Sequence, residues 1–235
     1  MIDLILQLAL GVVPAILAIT LHEAAHGYAA LAMGDDTARR AGRLSLNPLR
    51  HIDRVGTILL PGFLLIVQLL TLGRVAFMFG WAKPVPVAAW KFRDPRRGMM
   101  LVAAAGPAMN FFLAWLAALA WHGIDWLPPQ PGEVAATLLG YFILANLVLG
   151  LFNLLPVPPL DGGRIVVGLL PAPIALRWAQ VERVGILVVV LGVFVLPQLL
   201  REMGVRFDPV GAALGNVLPR AISLVLRLAG NHGLD

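Results

Sequence analysis

Long uncharged runs separated by short polar clusters set the pattern of this chain. A run of about 18 apolar residues or more is long enough, as a helix, to cross a hydrocarbon core of about 30 Å. Residues 4–21 make one such run, and its apolar character continues past a polar cluster to Met33. Residues 98–121 make a second and 134–160 a third, where Pro156, Pro158 and Pro159 end any helix near Leu155. Residues 184–200 make a slightly short fourth. The stretch 209–228, interrupted by Pro219 and Arg220, reads as an interfacial or amphipathic segment. Residues 55–73 are apolar enough to span but contain Pro61-Gly62, and the Gly/Pro-punctuated stretch 75–87 that follows is strand-like in composition. Non-helical backbone at membrane depth survives only when buried in protein or lining a wet cavity. The pattern predicts an all-α polytopic membrane protein, a helical bundle of about four to six transmembrane segments with a small re-entrant β-like element. Residues 1–200 form the membrane-embedded domain, with 55–87 re-entrant, and 201–235 form an amphipathic or interfacial tail.

Composition supports the same class. The chain is 59% hydrophobic and 13% charged, about half the charge of a soluble domain. Disorder is excluded, because it requires low hydrophobicity and high net charge. The missing charge and high apolar content argue against a soluble enzyme. There is no cysteine among the 235 residues, which removes disulfides, thiolate nucleophiles, iron–sulfur clusters and Cys-type zinc sites. The net charge of +5 sits mainly in the gaps between apolar runs, where Arg and Lys meet lipid headgroups. Nucleic acid would require those residues on one solvated face, so the expected partner is the lipid bilayer and no nucleic acid.

Charge also predicts sidedness. Segment 34–54 carries Arg39, Arg40, Arg43, Arg50 and Arg54, and segment 74–97 carries six Lys and Arg, whereas 122–132 carries none. The last therefore lies outside and 74–97 inside. With 34–54 also inside, 55–73 must re-enter and return or form a hairpin rather than cross once.

Inside the first span lies His22-Glu23-Ala24-Ala25-His26, an HExxH motif. On a helix, positions i and i+4 share a face, so both imidazoles can reach one metal ion. Glu23, one position on, is placed to act on the attacking water instead of binding the metal. Ionisable groups at membrane depth cost about 2.5–3.5 kcal/mol each on insertion scales, and a divalent cation would compensate them. The alternative is polar glue between helices. A catalytic zinc usually takes three protein ligands and an open position. Asp161, in a Pro-rich break after the third span, is the acidic residue free to turn inward as a third ligand, or simply to cap the helix that follows.

HExxH in an apolar helix, then AGPAMN at 105–110 in a second span, then NLLPVPPLDGGR at 153–164, resembles the site-2 protease family of intramembrane zinc metalloproteases. FGWAKPVPV at 79–87 is similar to a segment that many bacterial members carry between the first two core spans. The likeness covers residues 10–170. It implies His22, His26 and Asp161 as ligands of one Zn²⁺ per chain, Glu23 as catalytic base, and a re-entrant β-like segment near the site. It also implies a transmembrane-protein substrate and a multi-pass position in a prokaryotic plasma membrane. Only the short segment 122–132 separates the second and third core spans, so the chain resembles a minimal member without a PDZ insertion. Two other classes fit the residues: a metal or proton transporter built on intramembrane His, Glu and Asp, and a catalytically silent relative that binds membrane proteins. Visible inverted repeats would favour the first, and loss of Glu23 the second.

Other polar residues carry weaker expectations. Asn153 is open between binding substrate or the oxyanion and a helix–helix hydrogen bond. Asn110 reads as helix–helix, with Gly106 allowing close approach. His51, among Arg50 and Arg54, reads as a surface or substrate-gating residue, His122 as interfacial beside Trp121 and Trp126, and His232 as part of a poorly ordered tail. The basic run from Arg93 to Arg97 reads as headgroup anchoring.

Overall fold

The computed structural model describes residues 2–74, 80–205 and 207–231. Among the described residues ten α-helices follow one another: α1 (Ile2–Ala32), α2 (Thr37–Arg40), α3 (Leu60–Leu72), α4 (Pro95–Ala120), α5 (Pro129–Asn153), α6 (Asp161–Leu169), α7 (Ala172–Gln180), α8 (Glu182–Val189), α9 (Leu196–Glu202) and α10 (Pro209–Leu228). Five stretches are helical, long and apolar enough to cross a membrane: Ala9–Ala32, Arg54–Thr71, Pro95–Trp126, Pro129–Asn153 and Pro209–Leu228. The expected span 184–200 is helical as well, built from α8, a wide π turn and α9.

Helices α1, α4 and α5 pack on one another, and α6 packs on α4, to form the centre of the bundle. Small residues make that closeness possible. Ala103, Gly106, Ala114, Ala117 and Ala118 of α4 are buried, and their side chains keep no backbone at a distance. Asp94 caps α4 by accepting from the Arg96 and Arg97 amides at 3.1 Å, and Pro95 starts it without losing a helical hydrogen bond. Helix α5 ends at Asn153, ahead of the three prolines, and α6 begins at Asp161.

Within 201–235, the segment expected as an amphipathic or interfacial tail, α10 is docked along α4 and α5. Val225, Leu226 and Ala229 share a buried cluster with Ala114, Ala117, Ala118, Ile143 and Leu147. Buried Asn231 locks the helix end by donating to Ala118 O at 2.7 Å. His232 lies outside the described residues.

The region 54–72 departs from expectation. It is one continuous helix, a π turn (Arg54–Leu59) running into α3, and not a hairpin that returns. Pro61 has no N–H to continue the π pattern, but the Gly56 carbonyl it leaves free accepts instead from the Trp81 amide at 3.1 Å, so Pro61-Gly62 does not break the helix. The chain around it is exposed, as a lipid-facing helix would be, with 11% of the span buried in protein.

A β-like element is not found among the described residues. Residues 80–88 have no regular secondary structure, and 75–79 lie outside the description. The reason is visible in the hydrogen bonds. The amides of Trp81 and Lys83 donate to Gly56 O (3.1 Å) and His51 O (2.8 Å), and that of Val85 to a Glu23 carboxylate oxygen (3.2 Å). The partners are single groups from three elements instead of a neighbouring strand, so the segment is a pinned strap and no ladder forms.

Asp35 fastens the far end of the strap. It is fully buried and accepts from the Ala88 amide (2.6 Å), the Thr37 amide (3.0 Å), the Thr37 hydroxyl and Lys91 Nζ. Burial alone would raise its pKa, but these donors win and hold it down at about 2.

Candidate metal centre

His22 and His26 stand one turn apart on α1, their rings edge-on with centroids 4.6 Å apart. Their Nε2 atoms are 3.1 Å from each other. Asp161 Oδ2 lies 3.1 Å from His22 Nε2 and 3.3 Å from His26 Nε2. All three residues are buried. The sequence-named pair and its candidate third partner are therefore brought to one point.

Two glycines deliver Asp161 there. A Cβ on Gly162 would stand 2.3 Å from Leu154 O, and one on Gly163 2.4 Å from Pro158 N. Without side chains, the first turn of α6 nests against the 154–160 loop and Asp161 turns into the bundle. A third glycine backs the imidazoles, since a Cβ on Gly106 would stand 2.5–2.6 Å from ring atoms of both His22 and His26. The close approach expected at Gly106 is thus made onto the histidines themselves.

The donor chemistry fits a zinc ion. His26 Nδ1 lies 2.7 Å from Val102 O, and His22 Nδ1 lies 2.6 Å from Asn110 Oδ1. With their outer nitrogens donating to those oxygens, both rings turn a bare lone pair inward. Asp161 Oδ2 is buried with no hydrogen-bond partner. Three converging electron-pair donors repel one another unless a cation or proton sits between them. Ligands at about 2.0–2.1 Å around a tetrahedral zinc are about 3.3 Å apart, close to the spacings here.

Glu23 is half-buried on the same turn, and its Oε2 accepts from the Val85 amide. The strap therefore passes beside the motif's carboxylate.

The remaining sequence-named residues fall elsewhere. Asn153, the last residue of α5, donates its amide hydrogen to Leu149 O one turn back at 3.0 Å. His51 is not a surface residue: it is 3% exposed, its Nε2–H donates to Ser45 O at 2.7 Å, and its carbonyl holds the strap. The Arg-rich loop folds over it because Arg43 reaches the carbonyls of Arg50 and Lys83. His122 donates to Ala229 O at 2.7 Å, tying the turn after α4 to the end of α10. Arg96 donates to Leu170 O at 2.9 Å, so that member of the basic run is a helix-to-helix tie. Asn146 escaped the sequence reading and Asn110 was read as helix glue. Each is a side-chain amide in an apolar span, and both are fully buried behind His22.

The pattern of peptidase family M50 matches residues 130–196. "Putative zinc metalloprotease YwhC" of Bacillus subtilis (strain 168) is 40% identical over 191 residues, 79% of this chain and 80% of that protein. The chain belongs to peptidase family M50, the site-2 proteases. Two further relatives are the proteins named "Putative zinc metalloprotease Rip2" of Mycolicibacterium smegmatis (strain ATCC 700084 / mc(2)155) and Mycobacterium tuberculosis (strain ATCC 35801 / TMC 107 / Erdman). They are 30% and 32% identical over 154 residues, which is 63% of this chain and 52% of each relative. No solved structure matches the chain. As an M50 member with five apolar helices, it is a multi-pass membrane protein.

Proposed function

We propose that this M50 chain is a zinc metalloprotease of the prokaryotic plasma membrane that hydrolyses a peptide bond in or near a transmembrane segment of a membrane-protein substrate. The observation that carries the reading is the buried convergence of His22 Nε2, His26 Nε2 and Asp161 Oδ2 at 3.1–3.3 Å, with Glu23 on the same helical turn. The names of the curated relatives agree with it. His22, His26 and Asp161 hold one zinc per chain. Zinc held there polarises the scissile carbonyl and lowers the pKa of water.

Glu23 is the general base: its carboxylate takes a proton from the attacking water and returns it to the leaving amine. The Val85 amide steadies one oxygen of that carboxylate, leaving the other to work. Asn153, near the Asp161 loop, serves the substrate backbone or the oxyanion after turning from Leu149 O. The substrate helix must unwind locally, because its own hydrogen bonds otherwise shield the bond to be cut. Strap 80–88 and α3 form the wall it meets.

The experiment is cleavage of a tagged single-span substrate by purified wild type and Glu23→Gln, zinc supplied to both. Cleavage by wild type alone supports the proposal. Equal cleavage by both points to a contaminating protease and withdraws the assay's support for the proposal. A wild-type chain that binds no zinc overturns the reading.

A further inference from the structure

We infer that Asn146 is a positioning residue that acts through Asn110 to fix the tautomer of His22, leaving the His22 Nε2 lone pair facing His26 and Asp161. The inference rests on the metal-centre reading above.

Three hydrogen bonds lead inward from α5 to His22. Asn146 Nδ2 donates to Phe142 O at 2.8 Å, and a backbone carbonyl can only accept. That identifies the two ends of the Asn146 amide, so its Oδ1 is the atom facing α4. It accepts from Asn110 Nδ2 at 2.8 Å. The Asn110 amide is oriented in turn, with Nδ2 also 3.4 Å from Ala18 O and Oδ1 2.6 Å from His22 Nδ1. An amide oxygen offers no hydrogen, so His22 Nδ1 must carry the proton. Its Nε2 is then the electron-pair donor a metal requires.

Burial makes the relay decisive. Asn110 and Asn146 are both 0% exposed, so water does not compete for their ends. His26 needs no such device, because its Nδ1 faces the main-chain carbonyl of Val102 directly. A pair of asparagines joining two helices as glue would do so in either direction. Here the direction is set, from a carbonyl on α5 to a candidate ligand on α1.

Asn146→Leu keeps the size and removes the polarity. Asn110 can then turn over and present Nδ2 to His22, which favours the tautomer with Nε2 protonated. The dissociation constant for zinc, measured on the purified full chain by competition with a chromogenic chelator, rises about 10–100-fold. Helical circular dichroism stays at the wild-type value. Adding Asn110→Asp to that variant recovers most of the lost affinity, because a carboxylate has only acceptors to offer whichever way it turns. A glue or packing role gives the reverse order, with the double variant worse than the single. Wild-type affinity in Asn146→Leu, or no recovery in a folded double variant, overturns the inference.

Ring ¹⁵N spectra of metal-free, histidine-labelled wild type give an arm that needs no stable variant at Asn146. The His22 signal, assigned by its loss in His22→Gln, is expected in the Nδ1–H form. The Nε2–H form overturns the inference. A wild type that binds no zinc overturns the metal-centre reading instead, and the spectra still decide the tautomer.

Discussion

The backbone amide of Val85 donates to Glu23 Oε2 across 3.2 Å, joining the extended strap to the carboxylate of the HExxH motif. A hydrogen bond to a charged group contributes about 1.5–3 kcal/mol. Val85 stands between Pro84 and Pro86, which have no N–H, so this amide is the donor the strap offers there. Val85→Pro removes it while keeping an extended backbone. Turnover of a model substrate falls about 10–100-fold with zinc content unchanged. Unchanged turnover would show that Glu23 works without the strap.

Gly106 touches both imidazoles, and a methyl group there needs space the rings occupy. Gly106→Ala should lose at least about tenfold in zinc affinity, since a displaced ligand is as costly as a lost outer-shell contact. Gly11→Ala, where nothing lies within 4 Å of an added Cβ, is the matched control. Zinc retained after dialysis against a chelator, read by metal analysis, checks the pair.

Asp161→Ala removes the third donor and is expected to leave a protein that folds but loses zinc during purification. Asp161→Asn, which keeps the shape but not the charge, should bind zinc more weakly than wild type. A fully metallated, fully active Asp161→Ala protein would remove Asp161 from the ligand set.

Asp35 predicts an acid-sensitive strap. Its carboxyl titrates at about 2 against an ordinary 3.8, because donors from Thr37, Ala88 and Lys91 outweigh the cost of burial. A depressed pKa stabilises the fold above the ordinary value, and that contribution is lost as pH falls from 3.8 toward 2. Asp36 shares the cluster and is also held below the ordinary carboxylate range, first by its hydrogen bond from Lys91, so acid releases both carboxylates from the same lysine. Amide exchange at Ala88, corrected for the intrinsic rate, should accelerate across that window. Asp35→Asn should show the faster rate already at neutral pH.

Much of the centre was legible because helical spacing is short-range. His22 and His26 share a face at any i, i+4 separation, and the Pro-rich break before Asp161 announces a carboxylate free of its helix. The outer contacts were less legible. Asn110 and Asn146 read as glue or went unnoticed, since no local pattern tells an amide facing a neighbouring helix from one facing a ligand. Pro61-Gly62 misled in the other direction: a proline inside a helix frees a carbonyl, and here the freed Gly56 carbonyl finds its donor in the distant Trp81 amide. The strap was expected as β-like from its composition, yet its partners are scattered groups from distant segments.

The sequence by itself determined the membrane class and the two-histidine face, because composition and helical period are local properties, and it left Asp161 open between a third ligand and a helix cap. Tertiary structure alone decided that Asp161 meets the histidines at about 3 Å, that Gly106 admits their rings, and that Asn146 reaches His22 through Asn110. Those are meetings between helices. They depend on how small residues let α1, α4 and α5 close on one another and α6 close on α4, and packing of that kind is written in no single stretch of chain.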